Sequence, residues 1–191
     1  MSIAILGNGN MGKGLAKRLA GKASVTVGSR SGGTSYADAV KGADIVVLAL
    51  PYAAALEAAG SLDLKGKVVV DMSNPITADF SGLTIGHTTS AAEEIAKVAT
   101  GARVVKAFNT IFAALLDAPA AATASVPVFV AGNDEAAVAA VADLVGKAGF
   151  AVEQVGGLDG ARLVEPVGML NIRLGYGLGR GTSIAPAWLK I

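Results

Sequence analysis

Six residues near the amino terminus carry the first chemical signal: Gly7-Asn8-Gly9-Asn10-Met11-Gly12 is a G-x-G-x-x-G string. In a chain with 25 glycines the string alone says little. Its position says more, because it directly follows the aliphatic run Ile3–Leu6 and opens a stretch of helical length. That is the placement pyrophosphate binding needs. Gly7 would permit a tight turn, Gly9 would let backbone approach the anion, and Gly12 would let the helix pack closely on the strand, with the phosphate at the helix N-terminus.

The second signal selects the dinucleotide. An NAD-binding chain places Asp or Glu about 20 residues beyond the glycines, where it accepts hydrogen bonds from the adenosine ribose. Here Ser29-Arg30-Ser31 stands instead. A guanidinium flanked by two hydroxyls suits the 2′-phosphate of NADP, so NADP is the expected cofactor. Further on, Leu50-Pro51 closes the third apolar run and Ser73-Asn74-Pro75 follows the fourth, which ends in Asp71. Loops at the carboxyl ends of strands flank ligands in open α/β sheets, and these two should border the nicotinamide half.

Acid–base machinery is sparse. His87 is the lone histidine and reads as an exposed loop residue before a helix capped by Ser90. Tyr36, Tyr52 and Tyr176 are followed four residues later by Val40, Leu56 and Arg180, so the Tyr/Lys pair of a short-chain dehydrogenase is missing. There is no cysteine, which removes thiolate catalysis and thiolate metal ligation. No catalytic side chain and no metal site are assigned. What remains is hydride exchange between nicotinamide and another flat redox ring, a step that needs positioning more than proton transfer. Gly168, Gly175, Gly177, Gly179 and Gly181 would either let backbone approach such a ring or serve close packing at a dimer contact.

The elements that must hold these residues are visible as alternation. β-Branched runs at Ile3–Leu6, Val25–Gly28, Ile45–Leu50, Val68–Asp71, Val104–Lys106, Val128–Ala131 and Val152–Val155 alternate with alanine-rich stretches. Those stretches predict helices over Met11–Gly21, Tyr36–Lys41, Tyr52–Ala59, Ala91–Ala99, Ile111–Ala118 and Asp134–Ala148, the last capped by Asn133 or Asp134. A further helical stretch runs from about Asp159 to Leu178, with Pro166 expected to kink it or mark its first turn. Strand–helix alternation of this kind predicts an α/β, Rossmann-type doubly wound, mainly parallel sheet with a short C-terminal helical appendage. The expected organisation is a nucleotide-binding domain over residues 1–155 and an appendage over 156–191 packed on the same unit.

Composition narrows the partners. At 52% hydrophobic and 16% charged the chain is a folding sequence. With 16 basic against 15 acidic residues it offers no field for nucleic acid or an anionic membrane. No apolar run reaches the roughly 20 residues of a spanning helix, and the N-terminus reads as a strand rather than a signal peptide. Small-molecule redox partners and a cytoplasmic setting are expected.

Together, Gly7–Gly12, Ser29-Arg30, Leu50-Pro51, Asn74-Pro75 and above all Val104-Val105-Lys106-Ala107-Phe108-Asn109-Thr110 resemble the coenzyme F420-dependent NADP oxidoreductase family. The resemblance spans Ile3 to about Val155, and the domain is also similar to the reductase module of six-transmembrane metalloreductases. It implies hydride transfer between NADP(H) and coenzyme F420 or a flavin (FMN or FAD), often in a homodimer. It also implies that Ser29 and Arg30 hold the 2′-phosphate and that Ala107, Phe108 and Asn109 border the nicotinamide. Archaeal members usually carry another basic residue just past the arginine, whereas Gly32-Gly33-Thr34-Ser35 has none. Two other readings stay open: a non-catalytic NADP-binding redox sensor, and a carbonyl or imine reductase using His87 or Glu165 as proton donor.

Overall fold

A computed structural model describes residues 1–188. The chain folds as β1 (Ser2–Leu6), α1 (Asn10–Leu19), β2 (Ser24–Gly28), α2 (Tyr36–Lys41), β3 (Ile45–Leu48), α3 (Tyr52–Ser61) and β4 (Val68–Asp71). It continues through α4 (Ala91–Val98), β5 (Arg103–Lys106), α5 (Ala113–Asp117), α6 (Ala120–Thr123), β6 (Pro127–Gly132), α7 (Glu135–Lys147) and β7 (Ala151–Gln154). A 3-10 turn over Leu158–Gly160 then leads into α8 (Ala161–Ile172) and a π turn over Arg173–Gly177.

The strands form one sheet in the order β2-β1-β3-β4-β5-β6-β7. β1 to β5 run parallel, β6 pairs antiparallel with β5, and β7 returns parallel to β6. This is the doubly wound, mainly parallel Rossmann-type sheet with a C-terminal helix. The chain lays β2 on one side of β1 and β3 on the other, so the topological switch point lies at the carboxyl ends of β1 and β3. That is also where the glycine turn and Leu50-Pro51 lie.

The inner strands β1, β3, β4 and β5 are almost wholly buried because both sheet faces are covered, whereas the outer strands β2 (SVTVG) and β7 (AVEQ) carry exposed polar positions. Successive side chains alternate between two clusters: Ile3, Ile5, Ile45, Val47, Val68 and Val70 pack on one face, while Ala4, Leu6, Val46, Leu48 and Val69 pack on the other. The segment after β7 is part of this packing, since Leu158 and Ala161 join the second cluster. Among the described residues, no helix is long and apolar enough to cross a membrane.

Several element boundaries differ from the sequence reading. The helix expected over Ile111–Ala118 is α5, shortened to Ala113–Asp117, and a further short helix that sequence reading did not expect, α6, follows it. Ala118 precedes Pro119, whose ring disfavours the helical conformation in its neighbour, and Ala118 is extended at ψ 156°. The strand expected over Ile45–Leu50 stops at Leu48. The long final helix is divided into the 3-10 turn, α8 and the π turn, with Pro166 in the interior of α8 rather than in its first turn. Asp134 caps α7 through the Ala137 amide, while Asn133 instead accepts the Leu158 amide. The last three residues of the expected 156–191 appendage lie outside the described residues.

One buried cation ties the layers together. The Arg18 guanidinium, on α1, donates to the carbonyls of Leu115, Leu116, Ala118 and Ala148 and to Thr123 Oγ1. It therefore caps the ends of α5 and α7 at once, and it lies 5.1 Å from the Phe150 ring centroid. Burial holds its pKa below the usual value, opposed by the Asp117 charge.

Candidate functional site

The turn after β1 is shaped by close backbone approach. Gly7 sits at φ +118°, and a Cβ there would lie 2.3 Å from the Ala49 carbonyl oxygen. A Cβ on Gly12 would lie 2.0 Å from the Gly7 oxygen. These two glycines are required by the fold. Gly9 differs, because a Cβ there would meet nothing within 4 Å and would project into open space. Gly9 is also the N-cap of α1, makes no side-chain capping bond, and is followed by a first turn without acidic residues. The first amide groups of α1 therefore keep their donors free for an anion.

Next to this turn lies a cavity of about 860 Å³ lined by Gly9, Asn10, Met11, Leu50, Pro51, Asn74, Phe108 and Asn109 among the residues expected from sequence. Asn8, Gly7, Gly12, Pro75 and Ala107 do not line it. Asn8 is exposed, and Pro75 and Ala107 are buried behind the wall. Ser29, Arg30 and Ser31 form a separate group at the end of β2. There the Arg30 guanidinium is ion-paired to Glu57 at 2.7 Å, and both side chains are exposed.

At the inner end, β4 and β5 deliver a cross-linked polar wall. Asn74 Nδ2 donates to the Asn109 carbonyl at 2.8 Å, and Asn109 Nδ2 donates to Asn74 Oδ1 at 2.9 Å and to the Val164 carbonyl at 2.9 Å. A Cβ on Gly168 would lie 2.7 Å from Asn74 Oδ1, so α8 rests directly on this pair only because residue 168 is glycine. Gly175 likewise lets Phe112 pack, its Cβ position lying 2.6 Å from the ring. Phe108 holds a φ of +65° while fully buried, an uncommon conformation for a bulky residue. Its ring meets Phe150 edge-on.

Beneath that wall lies a charged cluster that sequence reasoning missed. Lys106 Nζ donates to Asp71 Oδ2 at 2.7 Å, Glu165 Oε1 at 2.7 Å and the Ser73 carbonyl at 2.6 Å. All three charged side chains are buried. Glu165 also accepts the Ala91 and Ala92 amides at the start of α4, which sets a carboxylate on a helix N-terminus. Asp71 does the turn-capping job expected of a strand-end carboxylate, accepting the Ser73 amide at 2.9 Å, and is a charge partner as well.

Among the described residues, three buried side-chain atoms lack partners: Ser73 Oγ, Asn109 Oδ1 and Thr110 Oγ1. All three residues line the cavity at its inner end. Buried polar atoms normally find partners, so this trio marks a place built for a polar ligand edge. A carboxamide such as that of nicotinamide, with donor and acceptor, fits the set. Tyr52, on the cavity wall, has its pKa raised mainly by burial and further by the Glu94, Glu165 and Asp71 carboxylates.

A second cavity of about 770 Å³ adjoins the first, sharing Phe80, Ile172 and Tyr176 with it. Its remaining wall includes Met169, Arg173 and Leu178. Neither His87 nor Glu165 lines either cavity. His87 is exposed on a loop at φ +59°, and Glu165 is locked to Lys106. Among the described residues, no cluster of three or more potential metal ligands occurs.

Comparison with known proteins gives concordant results. Residues 30–75 match the family model described as NADP oxidoreductase coenzyme F420-dependent. The F420-dependent NADP reductase of Methanocaldococcus jannaschii is 31% identical, with all of both chains covered. The rat metalloreductase STEAP3 is 31% identical over 86% of this chain and 36% of that protein. A crystal structure of a candidate F420-dependent NADP reductase from Arthrobacter sp. FB24 superposes with a TM-score of 0.82 at 34% identity, covering 94% of this chain and 96% of that one.

Proposed function

This chain belongs to the F420-dependent NADP oxidoreductase family and is an oxidoreductase, and from that premise we propose that it moves hydride between NADP(H) and coenzyme F420. The observation that supports this reading is a pair of adjoining cavities, the first at the switch point and the second sharing Phe80, Ile172 and Tyr176 with it. The inner end of the first offers three unpartnered polar atoms for a carboxamide, and the second opens directly beside it.

In this reading the free amides at the start of α1 take the pyrophosphate, and Ser29, Arg30 and Ser31 take the 2′-phosphate. Leu50 and Pro51 flank the path between. Asn74 and Asn109, braced by α8 at Gly168, orient the nicotinamide, with Ser73 and Thr110 joining them as residues unmarked by any motif. Ala107 acts from behind the wall, its amide fixed to the Asp71 carbonyl at 3.1 Å. When bound at this wall, NADP(H) would supply the hydride chemistry, with a solvent proton completing reduction of the acceptor. Phe80, Ile172 and Tyr176 form the apolar boundary that sets one ring against the other and excludes water. FMN or FAD would enter the same second cavity.

We also read residues 1–155 as the nucleotide-binding part and 156–191 as an appendage that completes the acceptor side. The chain acts as a homodimer in this reading, supported by the exposed Leu163, Leu170, Tyr176 and Leu178 on the α8 side. The deciding experiment is stopped-flow absorbance with NADPH and, in turn, oxidised F420, FMN and FAD. Rapid NADPH loss with F420 is expected. Tight NADPH binding with no turnover on any acceptor would replace the reading with that of a redox sensor.

A further inference from the structure

The Arg30–Glu57 ion pair spans the nucleotide crevice. Arg30 follows β2, and Glu57 lies on α3, which follows β3. In the sheet β1 stands between those two strands, so the pair reaches across the carboxyl end of β1, where the glycine turn lies. The loop that carries Arg30 is closed on itself. The Ser29 amide bonds the Thr34 carbonyl at 2.9 Å, and Gly32 and Gly33 take φ of +84° and +77°. Arg30 is the one cation between Gly28 and Tyr36. Whatever engages its guanidinium therefore decides whether a positive charge is available at that end of the crevice.

We propose that Glu57 is a specificity-determining residue that competes with the 2′-phosphate of NADP for Arg30. This rests on the reading that Arg30 binds that phosphate. Carboxylate and phosphate both suit the planar donor fork of a guanidinium, and both present acceptor oxygens that require it. Glu57 holds Arg30 through Nη2 alone at 2.7 Å, so a phosphate dianion arriving at the guanidinium either displaces that contact or binds the remaining donors and tolerates a like charge beside it. NADH has no group that competes for the cation. Glu57 thus compresses the preference for NADP over NAD below what Arg30 alone would give.

The test is a set of equilibrium dissociation constants for NADPH and NADH, measured by fluorescence titration on the full chain. The proteins are the wild type, Glu57→Gln, Glu57→Ala, Arg30→Ala and the Arg30→Ala/Glu57→Gln double variant. Glu57 is exposed in mid-helix, where both replacements are good helix formers, so folding is preserved. Each Glu57 variant is expected to bind NADPH roughly three- to fivefold more tightly, the scale of an exposed ion pair, with NADH changed less than about twofold. The gain should vanish in the Arg30→Ala background and shrink as salt is raised. Unchanged or weaker NADPH binding in the Glu57 variants, with Arg30→Ala still selectively weakening NADPH, would overturn the competition while leaving Arg30 as the phosphate ligand. Equal losses of NADPH and NADH in Arg30→Ala would overturn the underlying reading itself.

Discussion

Replacing Lys106 with methionine isolates the energetics of the buried cluster beneath the nicotinamide wall. The substitution keeps an unbranched side chain, one heavy atom shorter, and removes its charge. Asp71 and Glu165 then face each other with no cation, their oxygens no further apart than the two 2.7 Å bonds laid end to end. At about 5 Å and an effective dielectric constant near 20, like unit charges repel by ~3 kcal/mol. The expected loss is therefore ~3–4 kcal/mol, in the range seen when one partner of a buried pair is removed. With a urea m-value of about 2 kcal/mol/M, the midpoint should fall by roughly 1.5–2 M. Adding Asp71→Asn and Glu165→Gln should restore most of the stability. A midpoint shift below about 0.5 M, or a triple variant no more stable than Lys106→Met alone, would refute the reasoning.

Three further outcomes are expected. Gly9→Val should weaken NADPH and NADH binding alike by more than roughly tenfold, since its side chain would stand where backbone meets the pyrophosphate; because the site is open, thermal unfolding should show it costing no more than about 1 kcal/mol of stability. Gly168→Ala should cost ~1–3 kcal/mol by urea titration and weaken the nicotinamide end selectively, seen as NADPH losing affinity while 2′-phospho-ADP-ribose keeps it. Glu93 has its pKa lowered mainly by Arg162, and also by Ser90, against the effect of burial. A depressed folded pKa means its stabilisation is complete above the ordinary carboxylate value and is lost as pH falls through the folded one. Glu93→Gln should accordingly flatten the acid limb of a stability-against-pH curve below about pH 4.5 and leave the neutral region's slope unchanged.

Much of this architecture was legible in the chain because it rests on local pattern. The apolar runs had to be strands buried on both faces, and Gly7 and Gly12 announced the turn because no other residue fits where they sit. Ser90 and Asp134 were readable as caps for the same local reason. The parts that were not legible depend on distant partners. Lys106 finds Asp71 and Glu165 from 35 and 59 residues away, and nothing in the surrounding valines marks it as buried. Arg18 reaches carbonyls 97 to 130 residues on, and backbone acceptors leave no trace in side-chain identity. Ser73 and Thr110 are ordinary hydroxyl residues until the sheet brings them together with Asn109. Pro119, directly after the expected helix end at Ala118, holds Ala118 extended and separates α5 from the unexpected α6. Glu165 looked like a possible proton donor only because its cation was out of view.

The clamp made by Arg18 has a mechanical consequence for how a nucleotide is received. The glycine turn opens α1, and α1 is fastened at its far end to the termini of two other helices by a single side chain with five acceptors. In the proposed reading the pyrophosphate seat is thereby the end of a braced strut, and a dinucleotide would dock against a stiff anvil. The Thr77–Gly82 loop bearing Phe80 and the π turn bearing Tyr176 stand as the opposite jaw, so the proposal makes the cofactor half the fixed reference against which an acceptor would be aligned.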